Sequence, residues 1–163
     1  MSVALTSDIL ERDAMERHAA TEFRFLVTDA GASVAREPDA SRTVLAYLMA
    51  EAFVEVELDW QEGAVFVLVA RAVDGGRPGG YYVDHRGRKV RWHLVRAVDH
   101  SSRPGAADVA ADLRRVTRGS GRDAMVGQID ALAAALRQVL PELPTLVQQL
   151  NRTRSAMPGA RVA

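Results

Sequence analysis

The stretch Phe53-Val54-Glu55-Val56-Glu57-Leu58-Asp59-Trp60, followed across Gln61-Glu62-Gly63 by Ala64-Val65-Phe66-Val67-Leu68-Val69, decides how this chain folds. In the first run apolar and acidic residues alternate, with Val54, Val56, Leu58 and Trp60 on one side and Glu55, Glu57 and Asp59 on the other. A period of two belongs to extended backbone, whose successive side chains point to opposite faces. The run therefore predicts a strand with one covered face and one wet face. The second run is apolar throughout, which predicts a strand at the centre of a sheet, covered on both sides. A short turn containing glycine joins the two as an antiparallel hairpin.

Outward from this hairpin the same texture continues. Ala32–Glu37 and Thr43–Ala50 read as strands separated by the turn Pro38-Asp39-Ala40-Ser41. Gly75-Gly76-Arg77-Pro78-Gly79-Gly80 reads as a flexible loop, Tyr81-Tyr82-Val83 as a return to strand, and Asp84-His85-Arg86-Gly87 as another turn. Lys89–Val98 has both periods, so a strand passing into a helical turn is expected there. Before the sheet, Met15, Ala19, Phe23, Leu26 and Ala30 recur at three- and four-residue steps. They predict one amphipathic helix over 8–30, with Asp8 and Glu11 as a capping box and Gly31 at its C-cap. After a linker at 99–105, helices are expected over 106–150 and a frayed tail beyond Asn151, flexible over 156–163. The predicted class is α+β: an N-terminal helix, an antiparallel meander of about five strands and C-terminal helices on the sheet, in a single domain over 1–155.

The last helical region carries the strongest periodicity. Met125, Ile129, Leu132, Leu136, Val139, Leu143, Leu146 and Leu150 follow alternating steps of four and three, the spacing of a heptad seam. Pro141 and Pro144 interrupt it, predicting two short helices or one kinked helix. The stripe either covers the sheet or, through Ile129, Leu132, Leu136 and Leu143, forms the seam of a homodimer or larger complex.

Total charge is zero, but residues 1–65 carry a net of −8 and residues 66–163 a net of +8. Such a dipole is either satisfied internally or selects partners by charge. Lys89 is the only lysine among 21 basic residues, a bias that argues for nothing by itself. There is no cysteine, which excludes disulfides and thiolate chemistry. No secretory signal and no apolar run of the roughly twenty residues needed to cross a membrane are present, so a cytoplasmic protein is expected.

Candidate sites follow from these patterns. Glu55, Glu57 and Asp59, with nearby Glu51, would form an acidic strand face, satisfied by solvent and the chain's own arginines or docking a basic partner. A metal there lacks a histidine or Asx-rich loop to complete its shell. Arg86, Arg88, Lys89 and Arg91, interleaved with aromatics and histidines, form the densest basic run. That texture suits nucleic acid, although a neutral chain argues against it and an exposed edge explains it equally well. No GxSxG, HExxH, Walker or dinucleotide fingerprint occurs. No catalytic residue, cofactor or metal ligand is assigned; an enzyme would have to bring His85, His93 and Asp84 together beneath the glycine loop.

The order of elements, from the helix running into Phe23-Arg24-Phe25-Leu26-Val27 through the strands at Val54–Trp60 and Val65–Val69 to Tyr81-Tyr82-Val83-Asp84 and the closing helices, resembles small bacterial α+β proteins of the immunity-protein type. The resemblance implies a non-enzymatic cytosolic protein that neutralises a basic partner such as a nuclease toxin, with Glu55, Glu57 and Asp59 at the contact. A scaffolding or homo-oligomeric protein using the heptad-like helix is the second expectation, and a nucleic-acid-directed protein using the basic segment the third.

Overall fold

The computed structural model describes residues 2–155, with side chains from 7 to 153; the tail 156–163 lies outside the described residues. Helix α1 (Ser2–Glu22) leads through one turn, α2 (Phe25–Thr28), into five strands: β1 (Ser33–Pro38), β2 (Arg42–Leu48), β3 (Ala52–Asp59), β4 (Ala64–Arg71) and β5 (Arg91–His93). Helices α3 (Leu94–His100), α4 (Ala106–Val116) and α5 (Arg122–Val139) follow, then a 3-10 turn at Leu140–Glu142 and α6 (Leu143–Ser155). The fold is α+β, its C-terminal helices lying on an antiparallel sheet ordered β1-β2-β3-β4-β5.

The hairpin that decides the fold pairs Val56 with Val67 and Val54 with Val69, while Val56 faces Leu45 of β2 on its other side. One face of the sheet, carrying Tyr47, Val54, Val56, Leu58, Val67, Val69 and Trp92, joins the helices in a single core that extends from Ala19 to Leu150. The heptad-like stripe is part of that core: Ile129, Leu132, Leu136 and Leu143 are all buried within this chain. Of the two readings of this stripe, the one in which it covers the protein's own sheet is realised, because a single-faced sheet must cover its apolar side. The break falls at Pro141, within the 3-10 turn, and Pro144 sits in the first turn of α6, where its missing N–H costs nothing.

Several boundaries differ from the sequence expectation. The N-terminal helix is longer at its start and ends at Glu22 rather than near Asp29, because Phe23 and Leu26 both turn into the core. Asp8 is therefore interior to the helix and pairs with Arg122 instead of capping. The tail expected to fray from Asn151 is helical as far as Ser155. Tyr81–Val83 does not join the sheet; it makes only an isolated bridge between Val83 and Lys89, and the fifth strand is the three-residue β5.

The turn between β3 and β4 is anchored through glycine. Gly63 has φ +61°, and its carbonyl accepts a hydrogen bond from Gly121 N at 2.9 Å. A Cβ at Gly63 would lie 2.6 Å from Gly121 N, whereas one at Gly31, also left-handed at φ +67°, would meet nothing within 4 Å. Gly31→Ala is expected to cost the left-handed penalty alone, about 1–2 kcal/mol. Gly63→Ala should cost at least about 1 kcal/mol more, because strain and overlap add. Equal losses in chemical denaturation would show that the close approach is not maintained.

Candidate functional site

The opposite face of the sheet carries a second, smaller apolar cluster of Val44, Ala46, Phe53 and Ala70. No helix covers it. Residues 72–90, the connection from β4 to β5, cross it as a strap. At its first bend Val73 and Gly76 exchange both backbone hydrogen bonds, 2.8 and 2.9 Å, around Asp74 (φ +50°) and Gly75 (φ +72°). Two successive left-handed residues in an Asp-Gly pair are the requirement of a type I′ turn. At the second bend the Asp84 carboxylate accepts from Arg86 N and Arg88 N at 2.9 and 3.0 Å and from the Arg88 guanidinium. These amide and guanidinium donors hold the Asp84 carboxyl down to about 2.

Beneath the strap lie the acids expected to be wet. Glu55 and Glu57 are only 4% and 5% exposed. Arg91, itself 3% exposed, donates from Nε to Glu55 Oε2 at 2.7 Å. Its remaining N–H groups hold the strap's backbone: Nη1 reaches the carbonyls of Gly80 and Tyr81, each at 2.7 Å, and Nη2 that of Pro78 at 3.3 Å. Arg77 adds a second guanidinium to Glu55, at 2.9 Å, and also pairs with Glu37 on the edge strand. Glu57 accepts from Arg42 at 2.6 Å and from the Tyr81 hydroxyl at 2.6 Å. Arg77 and Arg91 lie over the Phe53 ring at 5.1 and 5.8 Å, within cation–π range.

The electrostatics follow the contacts. The Arg42 guanidinium is held above its usual range by its hydrogen bond to Glu57, against some opposition from burial. Arg77 is raised by its hydrogen bond to Glu37, again against burial. Burial is the main cause that pushes the Tyr81 phenol up, followed by its hydrogen bond to Glu57. All three groups keep their protons at neutral pH, so the clamp is a set of fixed donors around two carboxylates.

The face is not wet, and the expectation that the chain's own arginines pair with its acids is the one realised: Arg91, Arg77 and Arg42 shield Glu55 and Glu57, and Arg91 belongs to this buried cluster, not to an exposed basic run. Asp59 is half-buried and caps the β3–β4 turn, accepting from Gln61 N and Glu62 N at 2.9 Å. Only Glu51, in the turn before β3, stands exposed among the four acids. Arg86 is exposed, Arg88 pairs with Asp84, and Lys89 Nζ sits 4.5 Å over the Trp92 ring. Arg88 and Lys89 line an open cleft of about 460 Å³ together with Arg71 and Asn151.

His85, His93 and Asp84 are not a cluster. His93 is half-buried against Phe66 and Tyr82, and desolvation, then Lys89, pushes its imidazole below the ordinary value. Asp84 is occupied by its turn, and His85 is exposed. The glycine loop read as flexible is instead the segment whose carbonyls Arg91 holds. Sequence reasoning missed Arg42, Arg77 and Tyr81 as partners of the two acids; the available signal was the equal and opposite charge of the two halves. It also missed Gln128, fully buried, whose Oε1 accepts from Val65 N at 2.8 Å.

No helix among the described residues is long and apolar enough to cross a membrane. Neither a protein-family model, nor a curated protein, nor a solved structure matches the chain.

Proposed function

We propose that the chain is a non-catalytic protein-binding module, of the kind the immunity-type resemblance implies, with the strap as its contact surface. The observation that carries this reading is what the strap displays over its clamp: Tyr81, Tyr82, Val83 and Val73 are 41%, 37%, 47% and 51% exposed. Tyrosine presents a large amphipathic surface at little entropic cost and is enriched at interface centres. A loop whose carbonyls are held from below by the buried Arg91 guanidinium loses little further freedom on association, which removes part of the usual ordering penalty.

The rim of the surface carries Arg71, Arg86, Arg88 and Lys89 against Asp74 and Asp84. A partner with an acidic rim therefore suits it, in contrast to the basic partner expected while Glu55 and Glu57 were read as exposed.

The test is co-purification of the tagged protein from its native host at low salt and at about 0.5 M salt, where screening over a few ångströms weakens exposed ion pairs. It runs beside a Tyr82→Ala/Arg86→Glu/Arg88→Glu variant and a Glu51→Lys variant. A stoichiometric acidic protein that is lost at high salt and from the strap variant, but kept by Glu51→Lys, is the expected result. Removing one central tyrosine alone should weaken binding by about 30-fold, a hot-spot loss of about 2 kcal/mol. A partner lost from Glu51→Lys but not from the strap variant would return the contact to the acidic edge. Nucleic acid alone, or no partner from any preparation, would defeat the reading.

A further inference from the structure

On the helical side, α1 meets α5 through charged groups. Asp8 and Glu11 of α1 pair with Arg122 at the start of α5. Farther along the same seam, His18 and Glu22 of α1 face Asp130 of α5. One ligand atom from each of these three lies within 4.8 Å of the other two. His18 Nε2 and Asp130 Oδ1 are 2.7 Å apart. Among the described residues this is the one group of three histidine, aspartate or glutamate side chains so arranged.

We propose that His18, Glu22 and Asp130 bind a divalent transition-metal ion, of the zinc class, that staples α1 to α5. His18 and Glu22 are four apart in a helix, which places both side chains on one face one turn apart. Asp130 approaches from the partner helix, so the ligands come from two rigid elements.

The charge balance supports a cation. A simple ion pair accounts for His18 with Asp130, but it leaves the half-buried Glu22 without a hydrogen-bond or ion-pair partner among the described residues. No arginine is paired with any of the three. Two carboxylates face at most one positive imidazolium, and a divalent ion with a neutral imidazole balances them.

The donor set also selects the class of ion. One imidazole nitrogen with two carboxylate oxygens suits zinc and its neighbours in the first transition row, whereas magnesium and calcium prefer oxygen alone. Ligand atoms around tetrahedral zinc at about 2.0–2.2 Å are about 3.4 Å apart. The His18–Asp130 pair, at 2.7 Å, is closer than that, and all three atoms already lie within 4.8 Å of one another, so the adjustment a shell requires is of the order of an ångström. The fourth position is left for water. His18 also borders an open cleft of about 520 Å³ that includes Met15, Trp60 and Met125, through which an ion can enter.

The probe is zinc alone, added to chelator-stripped full-length protein and followed by calorimetry and by thermal melting. One ion per chain and a rise in Tm of about 5–10 °C at zinc one hundred times its Kd are expected, since a ligand that binds only the native state stabilises it by mass action. His18→Ala and Asp130→Asn should each weaken binding at least tenfold, Glu22→Gln likewise, and His100→Ala should leave it unchanged. If His18→Ala does not fold, the two carboxylate variants decide alone, because Asp130 is exposed and neither side chain belongs to the core. No saturable binding up to millimolar zinc overturns the proposal. So does binding that survives Asp130→Asn and Glu22→Gln, or that disappears with His100→Ala.

Discussion

Replacing Arg91 by methionine is expected to lower stability by about 3–5 kcal/mol, because the change leaves a buried carboxylate without its main partner. In a chain of this length that corresponds to a fall in Tm of about 10–15 °C. Glu55 would retain only Arg77, which it shares with Glu37, and the carbonyls of Pro78, Gly80 and Tyr81 would lose their shared donor. The strap should open as well as the protein weaken. Trypsin cleavage after Arg86 or Arg88 under native conditions reads that opening directly.

The double variant Glu55→Leu/Arg91→Met separates the two effects. Removing both charges together eliminates the unpaired buried carboxylate, and most of the lost Tm should return, since buried ion pairs exchanged for apolar groups are often neutral in stability. Protease sensitivity should remain, because nothing replaces the bonds to the three carbonyls. Recovery of both properties would mean that the apolar cluster around Phe53 holds the strap unaided. A loss below about 1 kcal/mol in the single variant would mean that Glu55 is solvated and the clamp does not exist.

The clamp shows where sequence reading stops. The period-two run from Val54 to Asp59 identifies β3 and its two faces without ambiguity, since local alternation reports strand geometry directly. It does not report what lies over each face. An acidic face paired with water and one paired with an arginine from a segment twenty or more residues away have the same local pattern. Arg91 illustrates this: its neighbours Arg88 and Lys89 suggest a basic surface run, and only the register Ala70 opposite Arg91 turns it under the strap. The heptad spacing from Met125 to Leu150 likewise gives the helices and their apolar stripe correctly. Whether that stripe meets a sheet or another chain is decided by the remainder of the fold. Helix ends were less legible: Phe23 and Leu26 satisfy one helical stripe in sequence, yet both reach the core across a break at Phe23–Arg24.

The opposed net charges of the two halves find their meaning in the same contacts. Arg77 and Arg91 from the basic half neutralise Glu37 and Glu55 of the acidic half, and Arg122 neutralises Asp8 and Glu11. His18 and Asp130 cross the division in the other direction. Much of the imbalance is therefore internal. It fixes the strap against one face of the sheet and α1 against α5 on the other. What remains for steering a partner is the rim of the strap, where Arg71 and Arg86 stand exposed.

Gln128 is the second position where a single change should have a large effect. Strand β5 pairs only with Leu68–Ala70 of β4, so the outer edge of β4 near Val65 has no strand beside it. The Gln128 side chain takes that place: Oε1 accepts from Val65 N at 2.8 Å, while Nε2 donates to Gly119 O at 2.8 Å and Val116 O at 3.3 Å. One amide thus ties α5 to the sheet and to the end of α4. Gln128→Leu keeps the volume but orphans the buried Val65 N–H and takes the side-chain donor from Gly119 O, while Val116 O keeps its bond from Gly119 N at 3.4 Å, for an expected loss of about 2–3 kcal/mol. Gln128→Glu tests the polarity of the arrangement. The introduced carboxylate can still accept from Val65 N, but it would face the two carbonyls with no proton to donate. Burial then raises its folded pKa above the unfolded value of about 4.3. The folded state binds the extra proton, so this contribution is present below that value and lost as pH rises through the folded pKa. The Tm deficit of Gln128→Glu relative to the parent should therefore widen from pH 5 to pH 8, while that of Gln128→Leu stays constant. Parallel deficits for both variants would show that the side chain at 128 reaches water and does not hold α4 and β4 together.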